Sequence, residues 1–200
     1  MKRTPIAAQA PTADRRKRIA IVGGNFAGLT AAIELSPRHA VTVIDPSRHF
    51  EWMPNIHEIL SSVKTPQSLR LDRAAIVGRA GHRFLQDRVT ELHLASRRLL
   101  TAGGQDLSFD ACIVAVGALW NTHGIPGVER YALPFRSIAD AQVIEQRLRT
   151  LLHQGKPLRI VIVNGRFAPE LSRTSGLPIG MRFGSLAAAS TDHADVVGRY

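Results

Sequence analysis

The chain has 200 residues, 44% of them hydrophobic and 21% charged, with a formal net charge of +10 and a single cysteine. That length suits one full domain and part of a second. One cysteine excludes an intramolecular disulfide, and no run reaches the ~18–20 consecutive apolar residues of a membrane-spanning helix. The charge invites a nucleic-acid reading, but residues 1 to 18 carry Lys2, Arg3, Arg15, Arg16, Lys17 and Arg18 against Asp14 alone, half of the excess. The rest of this segment is mostly Ala, Pro, Thr and Gln, too poor in large apolar groups to fold, so residues 1–17 are expected to be a basic, solvated tail. Outside it the charges are mixed and the aromatics are not interleaved with basic residues, and no nucleic-acid partner is expected. Arg15-Arg16 resembles a twin-arginine export signal, yet the apolar stretch after it carries no cleavage-site pattern. A soluble, cytoplasmic chain is expected.

Ile19 to Val22 is an apolar run of the length of a buried parallel strand. A glycine turn comes at once, then the small-residue helical segment Ala27 to Leu35, then a second strand, Ala40 to Ile44, ending on Asp45. Strand, turn, helix, strand and terminal acid in this order read as a dinucleotide-binding βαβ unit. The chemistry requires a tight turn, backbone N–H groups at a helix N-terminus facing a pyrophosphate, and a helix pressed onto the strand. Gly23 and Gly28 occupy the first and third positions of G-x-G-x-x-G, with Asn25 at the second. The Asn25 side chain must therefore point away from the pyrophosphate, or its backbone must be left-handed. Asp45 is placed to accept the hydroxyls of an adenosine ribose and to repel a 2′-phosphate.

Pro46 to Pro54 is a loop whose His49, Phe50 and Trp52 either stack on a ring system or seal the edge of a core. Asn55 to Ser62 predicts a short helix with Ile56, Ile59, Leu60 and Val63 on one apolar face. His82 to Gln86, Val89 to His93 and Arg98 to Thr101 predict an antiparallel meander with Gly103-Gly104 as a hairpin turn. Leu107 to Ala118 predicts one buried strand ending in small residues, and Cys112 within it is expected to be a core thiol.

As a set, Ile21-Val22-Gly23-Gly24-Asn25-Phe26-Ala27-Gly28-Leu29, Val43-Ile44-Asp45, the Phe50-to-Pro54 loop and Phe109-Asp110 through Val114-Ala115-Val116-Gly117-Ala118 resemble the pyridine nucleotide-disulfide oxidoreductase superfamily of two-domain flavoproteins. Type II NADH:quinone and sulfide:quinone oxidoreductases are the nearest resemblance. It implies an α/β fold, a Rossmann-like FAD-binding domain (parallel sheet with antiparallel meander) at 18–122, and at 123–200 a linker with an incomplete NAD(P)H-binding domain. It implies FAD at the first site. Gly23, Gly24, Asn25, Phe26, Ala27 and Gly28 would surround the pyrophosphate, and Asp45, followed by Pro46, would hold the adenosine ribose. Val89 would meet the adenine through its backbone, Ala115 and Gly117 would wall the cofactor, and Pro54 would lie near the isoalloxazine. The implied activity is hydride transfer from NAD(P)H to flavin and on to a quinone-like acceptor, with no catalytic side chain and no metal. Peripheral membrane contact is implied only for a full-length relative. The thiol-using branches are disfavoured, because Cys112 has no second cysteine to pair with.

The strand Leu158 to Val163 should precede a second glycine motif, but Arg166 and Pro169 stand where its second and third glycines belong, and both oppose close approach of backbone to phosphate. Residues 172 to 184 lose helical periodicity, and no Gly-Asp pair occurs to hold a flavin ribitol. A one-step frame shift across Pro169-Glu170-Leu171-Ser172 would yield Gly-Val-Glu, the residues a family member is expected to show. A frameshifted, truncated gene product is one expectation, and a genuine small protein with a reduced second domain is the other. The alternative to an oxidoreductase is a non-catalytic flavoprotein fragment that binds a nucleotide or a partner only.

Overall fold

The computed structural model describes residues 16–118, 126–155 and 160. The expectations for 1–15 and for the second motif at 161–184 lie outside them. The elements begin with β1 (Arg18–Val22), α1 (Phe26–Glu34) and β2 (Ala40–Asp45), so the βαβ unit forms as expected. The chain continues through β3 (His49–Glu51), a 3-10 turn at Met53–Asn55, α2 (His57–Leu60), β4 (Arg70–Asp72) and α3 (Arg73–Arg79). Then come β5 (Arg83–Gln86), β6 (Val89–His93), β7 (Arg98–Thr101), β8 (Asp106–Ser108), β9 (Ala111–Val114), α4 (Val128–Tyr131) and α5 (Ile138–His153).

Four strands make a parallel sheet in the order β5-β2-β1-β9. Numbered among themselves along the chain, these strands run 3-2-1-4, the first part of the doubly wound nucleotide-binding order. β1 is central, with Ile19 and Ile21 opposite Val41 and Val43 on one side and Ala111 and Ile113 on the other. Because side chains alternate across a strand, the sheet feeds two apolar layers. Ile19, Ile21, Val41 and Val43 pack with Leu29 and Ala32 of α1, Val77 of α3 and Phe50. On the other face Ala20 and Ile44 pack with Leu99 and Phe109, joined at the margin by Val89, Leu92, Leu107 and Cys112. The result is three layers: helices, parallel sheet, and a three-stranded antiparallel sheet β6-β7-β8.

Two strand assignments differ from the sequence expectation. β5 belongs to the parallel sheet beside β2 and not to the meander. Its adjacent apolar residues explain this, since Phe84 packs against the helix-side core and Leu85 against the opposite one, as a strand of the middle layer requires, even at the edge of its sheet. The crossover that parallel pairing demands is α3, which starts on Asp72, whose carboxylate accepts from Ala75 N at 2.9 Å. The stretch 107–118 is not one strand. It divides at Phe109-Asp110, with β8 closing the meander and β9 crossing to the parallel sheet. β9 is half-exposed rather than buried, and Val114 retains 58% of its surface.

The division is pinned by Arg18. Its backbone N–H donates to Asp110 Oδ2 at 2.8 Å, its guanidinium reaches Asp110 Oδ1 at 2.9 Å, and it also donates to Ser108 Oγ. These bonds hold the Asp110 carboxyl down to about 2. Cys112 is half-buried, and burial pushes its thiol pKa up.

The described residues fall into two compact units, one of 16–50 with Asp72–Gly117 and one of Glu51–Leu71 with 118, 126–155 and 160. In the second unit, Ile56, Ile59 and Leu69 pack against Ile138 and Ala141 of α5. The predicted helix at 55–62 is shorter than expected, and Val63 is exposed rather than on its apolar face. α5 is capped by Ser137, which accepts from Asp140 N at 3.0 Å, and Glu51 accepts from Ile138 N at 2.9 Å.

Candidate nucleotide-binding site

In sheets of this strand order ligands bind beyond the carboxyl ends of the strands, where the order reverses. Here that point lies between β1 and β9, and the glycine turn is located there. Gly23 N donates to Ile44 O at 2.8 Å, and Ala115 N donates to Val22 O at 2.7 Å, which ties the turn to both neighbouring strands. Gly23 has φ +99°, and a Cβ on it would lie 2.3 Å from Ala115 O. A Cβ on Gly28 would lie 1.9 Å from Gly23 O, so Gly28 is what lets α1 press against the end of β1.

Of the two options the sequence leaves for Asn25, the left-handed backbone is excluded. The Asn25 backbone is extended (φ −91°, ψ −164°), and the left-handed residue of the turn is Gly23. Asn25 is exposed, and its side-chain Oδ1 accepts from Arg73 Nη2 at 3.2 Å. Asn25 is the N-cap of α1, yet it makes no side-chain cap bond, and the first helical turn holds no acidic residue. The first helical bond runs from Leu29 N to Asn25 O at 2.8 Å. The Ala27 and Gly28 N–H groups ahead of it have no acceptor within the helix. A helix start with no side-chain cap bond and no acidic residue in its own first turn suits an anion, so the residues present fit the pyrophosphate of a dinucleotide.

Asp45 ends β2 with its carboxylate turned to the same place. Oδ2 accepts from Gly24 N at 2.8 Å, and Oδ1 accepts from Ser47 N at 2.8 Å and from Arg73 Nη1 at 2.9 Å. Arg73 also donates to Gly24 O at 2.7 Å and to Ser47 O. Only 2% of its side chain is exposed, and it was not legible as a site residue. The one available signal was Asp72 followed by Ala74, Ala75, Ile76 and Val77, which marks a capped helix whose first residue is Arg73. A Cβ on Gly24 would meet Arg73 Cδ at 2.6 Å, so the glycine makes room for this arginine.

The remaining expected site residues scatter. Phe26 and Ala27 are exposed at the start of α1, and the Phe26 ring meets the edge of Phe50 at 4.9 Å. Phe50 is buried, in the role of sealing a core, whereas His49 and Trp52 are exposed. Pro46 is exposed beside Asp45. Val89 opens β6 at the margin of the meander-side core, and Gly117 follows β9 with φ +76°. Pro54 belongs to the second unit, on the 3-10 turn.

A glycine turn at the reversal point of a doubly wound sheet, with an acid at the end of the second strand, defines a dinucleotide-binding protein. Residues 17–171 match the family described as pyridine nucleotide-disulphide oxidoreductase, and the chain belongs to that family. The cofactors of that family are FAD and NAD(P)H. The chain is 27% identical over 182 residues to demethylphylloquinone reductase NdbB of Synechocystis sp., across 84% of this chain and 45% of that protein. Its fold is similar to that of the sulfide:quinone oxidoreductase of Aquifex aeolicus, with a TM-score of 0.65 at 19% identity over 74% of this chain and 34% of that one. It is also similar to NDH2 of Plasmodium falciparum in complex with NADH, with a TM-score of 0.62 at 23% identity and the same coverage, 74% and 34%. The chain spans less than half the length of the curated relatives it matches.

Proposed function

We propose that this chain is the FAD-binding part of an NAD(P)H-dependent oxidoreductase acting on a quinone-like acceptor. The observation that carries the reading is the Gly23–Gly28 turn, fixed between β1 and β9 and leading into a helix with no side-chain cap bond and no acidic residue in its own first turn. In this proposal the turn residues Gly23, Gly24, Asn25, Phe26, Ala27 and Gly28 surround the pyrophosphate. Asp45 and Pro46 border the adenosine ribose, Val89 borders the adenine, and Ala115 and Gly117 form the cofactor wall. Residues 18–122 provide this domain, and 123–200 a linker and a reduced NAD(P)H-binding region.

When bound, FAD supplies the hydride-accepting and hydride-donating ring. The chain's own residues bind and orient. α1 offers backbone N–H groups and the positive end of its dipole, Asp45 offers a carboxylate, and Arg73 offsets that carboxylate's charge beside the turn. No side chain is assigned proton transfer or nucleophilic attack. A cytoplasmic location belongs to the same proposal. Among the described residues no helix is long and apolar enough to cross a membrane.

The test is gel filtration of the purified protein after incubation with FAD. Near-stoichiometric flavin retained with the protein, and released as FAD on denaturation, is expected. A protein that is folded by circular dichroism but elutes without flavin would overturn the proposal. NADH-driven reduction of a quinone analogue by the loaded protein then tests the acceptor.

A further inference from the structure

An ionised carboxylate has about four acceptor positions, two on each oxygen. At Asp45 three of them are filled from within the protein. Ser47 N and the Arg73 guanidinium occupy Oδ1 at 2.8 and 2.9 Å, and Gly24 N occupies one position on Oδ2 at 2.8 Å. Arg73 has little freedom to leave. It is almost fully buried and is bound in addition to Gly24 O, Asn25 Oδ1 and Ser47 O. Its guanidinium carbon lies 6.0 Å from the centre of the Phe84 ring. Withdrawing a buried guanidinium from such a set leaves charge and acceptors unpaired, which is costly.

We propose that Arg73 is the specificity-determining positioning residue of the ribose subsite: by occupying Oδ1 it leaves Asp45 a single acceptor position, on Oδ2, so that the carboxylate holds one hydroxyl of the adenosine ribose and not the pair. This rests on the reading of the turn as an adenine-dinucleotide site. It goes further by naming which oxygen is open and which residue closes the other. It also revises what the sequence implies for Asp45, where a bare carboxylate at the end of β2 has room for both hydroxyls.

The experiment is calorimetric titration of the full 200-residue chain with ADP, 2′-deoxy-ADP and 3′-deoxy-ADP. One deoxy analogue should bind about 10- to 100-fold more weakly than ADP, the range for one hydrogen bond to a charged group, and the other within about 2-fold of it. Comparable losses with both analogues, or with neither, would overturn the inference while leaving the nucleotide site intact. Failure of ADP itself to bind a folded chain would overturn the underlying reading, and is distinguishable for that reason. In Arg73→Met, checked for folding by circular dichroism, Oδ1 regains an acceptor position, and the tolerated analogue should now also lose affinity. A folded variant that keeps the one-sided pattern would overturn the role of Arg73. The comparison among analogues on the unaltered chain does not depend on the variant folding.

Discussion

Replacing Gly28 by Ala tests whether the close approach of α1 to β1 organises the first unit. The added Cβ would lie 1.9 Å from Gly23 O, whereas real Cβ contacts essentially never fall below 3.0 Å, so the helix must withdraw by about 1.1 Å. The obstructing atom is backbone in a turn tied to both neighbouring strands, so it has no rotamer with which to yield. Overpacking of this kind costs roughly 1–3 kcal/mol. Here the withdrawal also loosens Leu29 and Ala32, both buried against the sheet, which places the expected loss near the top of that range, about 3 kcal/mol. For a chain of this size each kcal/mol lowers the melting temperature by about 2–4 °C, so a fall of roughly 6–12 °C is expected in differential scanning calorimetry. Gly78→Ala is the control. It lies in α3 with nothing within 4 Å of its added Cβ, and it should stabilise the chain by roughly 0.5–1 kcal/mol. If Gly28→Ala melts within about 2 °C of the parent, the contact does not organise the unit and the reasoning fails.

Three further outcomes are expected. Asp110 titrates at about 2 in the folded chain because Arg18 holds it, below the ~3.9 of an unfolded Asp. Its contribution to stability is therefore present above about pH 4 and lost as the pH falls through the folded value. Asp110→Asn should melt lower than the parent at pH 7, with the gap closing near pH 2 and narrowing in about 1 M salt; a gap independent of pH would contradict this. Ser137→Ala removes the acceptor for Asp140 N and should destabilise α5 by about 1 kcal/mol, seen as a lower midpoint in urea with an unchanged slope. Burial raises the Cys112 pKa, so at pH 7.5 iodoacetamide should label the native protein more slowly than the denatured protein, and the native rate should rise as the pH is raised toward 10; equal native and denatured rates at pH 7.5 would contradict this.

The βαβ unit was legible because each of its parts carries a local signature: the β1 run, the glycines, the small residues of α1 and Asp45 at the end of β2. The antiparallel pairs at Val89–His93 and Arg98–Thr101 were legible for the same reason, with alternation on either side of a turn. What escaped depends on contacts distant along the chain. β5 looks like a meander strand until α3 is seen to carry it over to β2. The break at Phe109-Asp110 is fixed by Arg18, 92 residues earlier. Ser137 followed by Asp140 signals the start of α5, a capping pattern that sequence reasoning passed over. Arg73 could not be picked out, because a buried arginine has the same one-letter signature as a solvated one, and only the folded positions of Gly24, Asn25, Asp45 and Ser47 give it a purpose.

The central position of β1 has a consequence for synthesis. Ile19 finds Val41 on one side early, but its partner on the other side is Ala111. At about 5–20 residues per second a ribosome needs roughly 5–20 s to make the intervening stretch. For that time the central strand of the sheet presents an open row of N–H and C=O groups, the kind of edge on which chains join wrongly. Slow translation before residue 111 should thus lower the soluble yield of this protein, and chaperones that shield β1 during that interval should restore it.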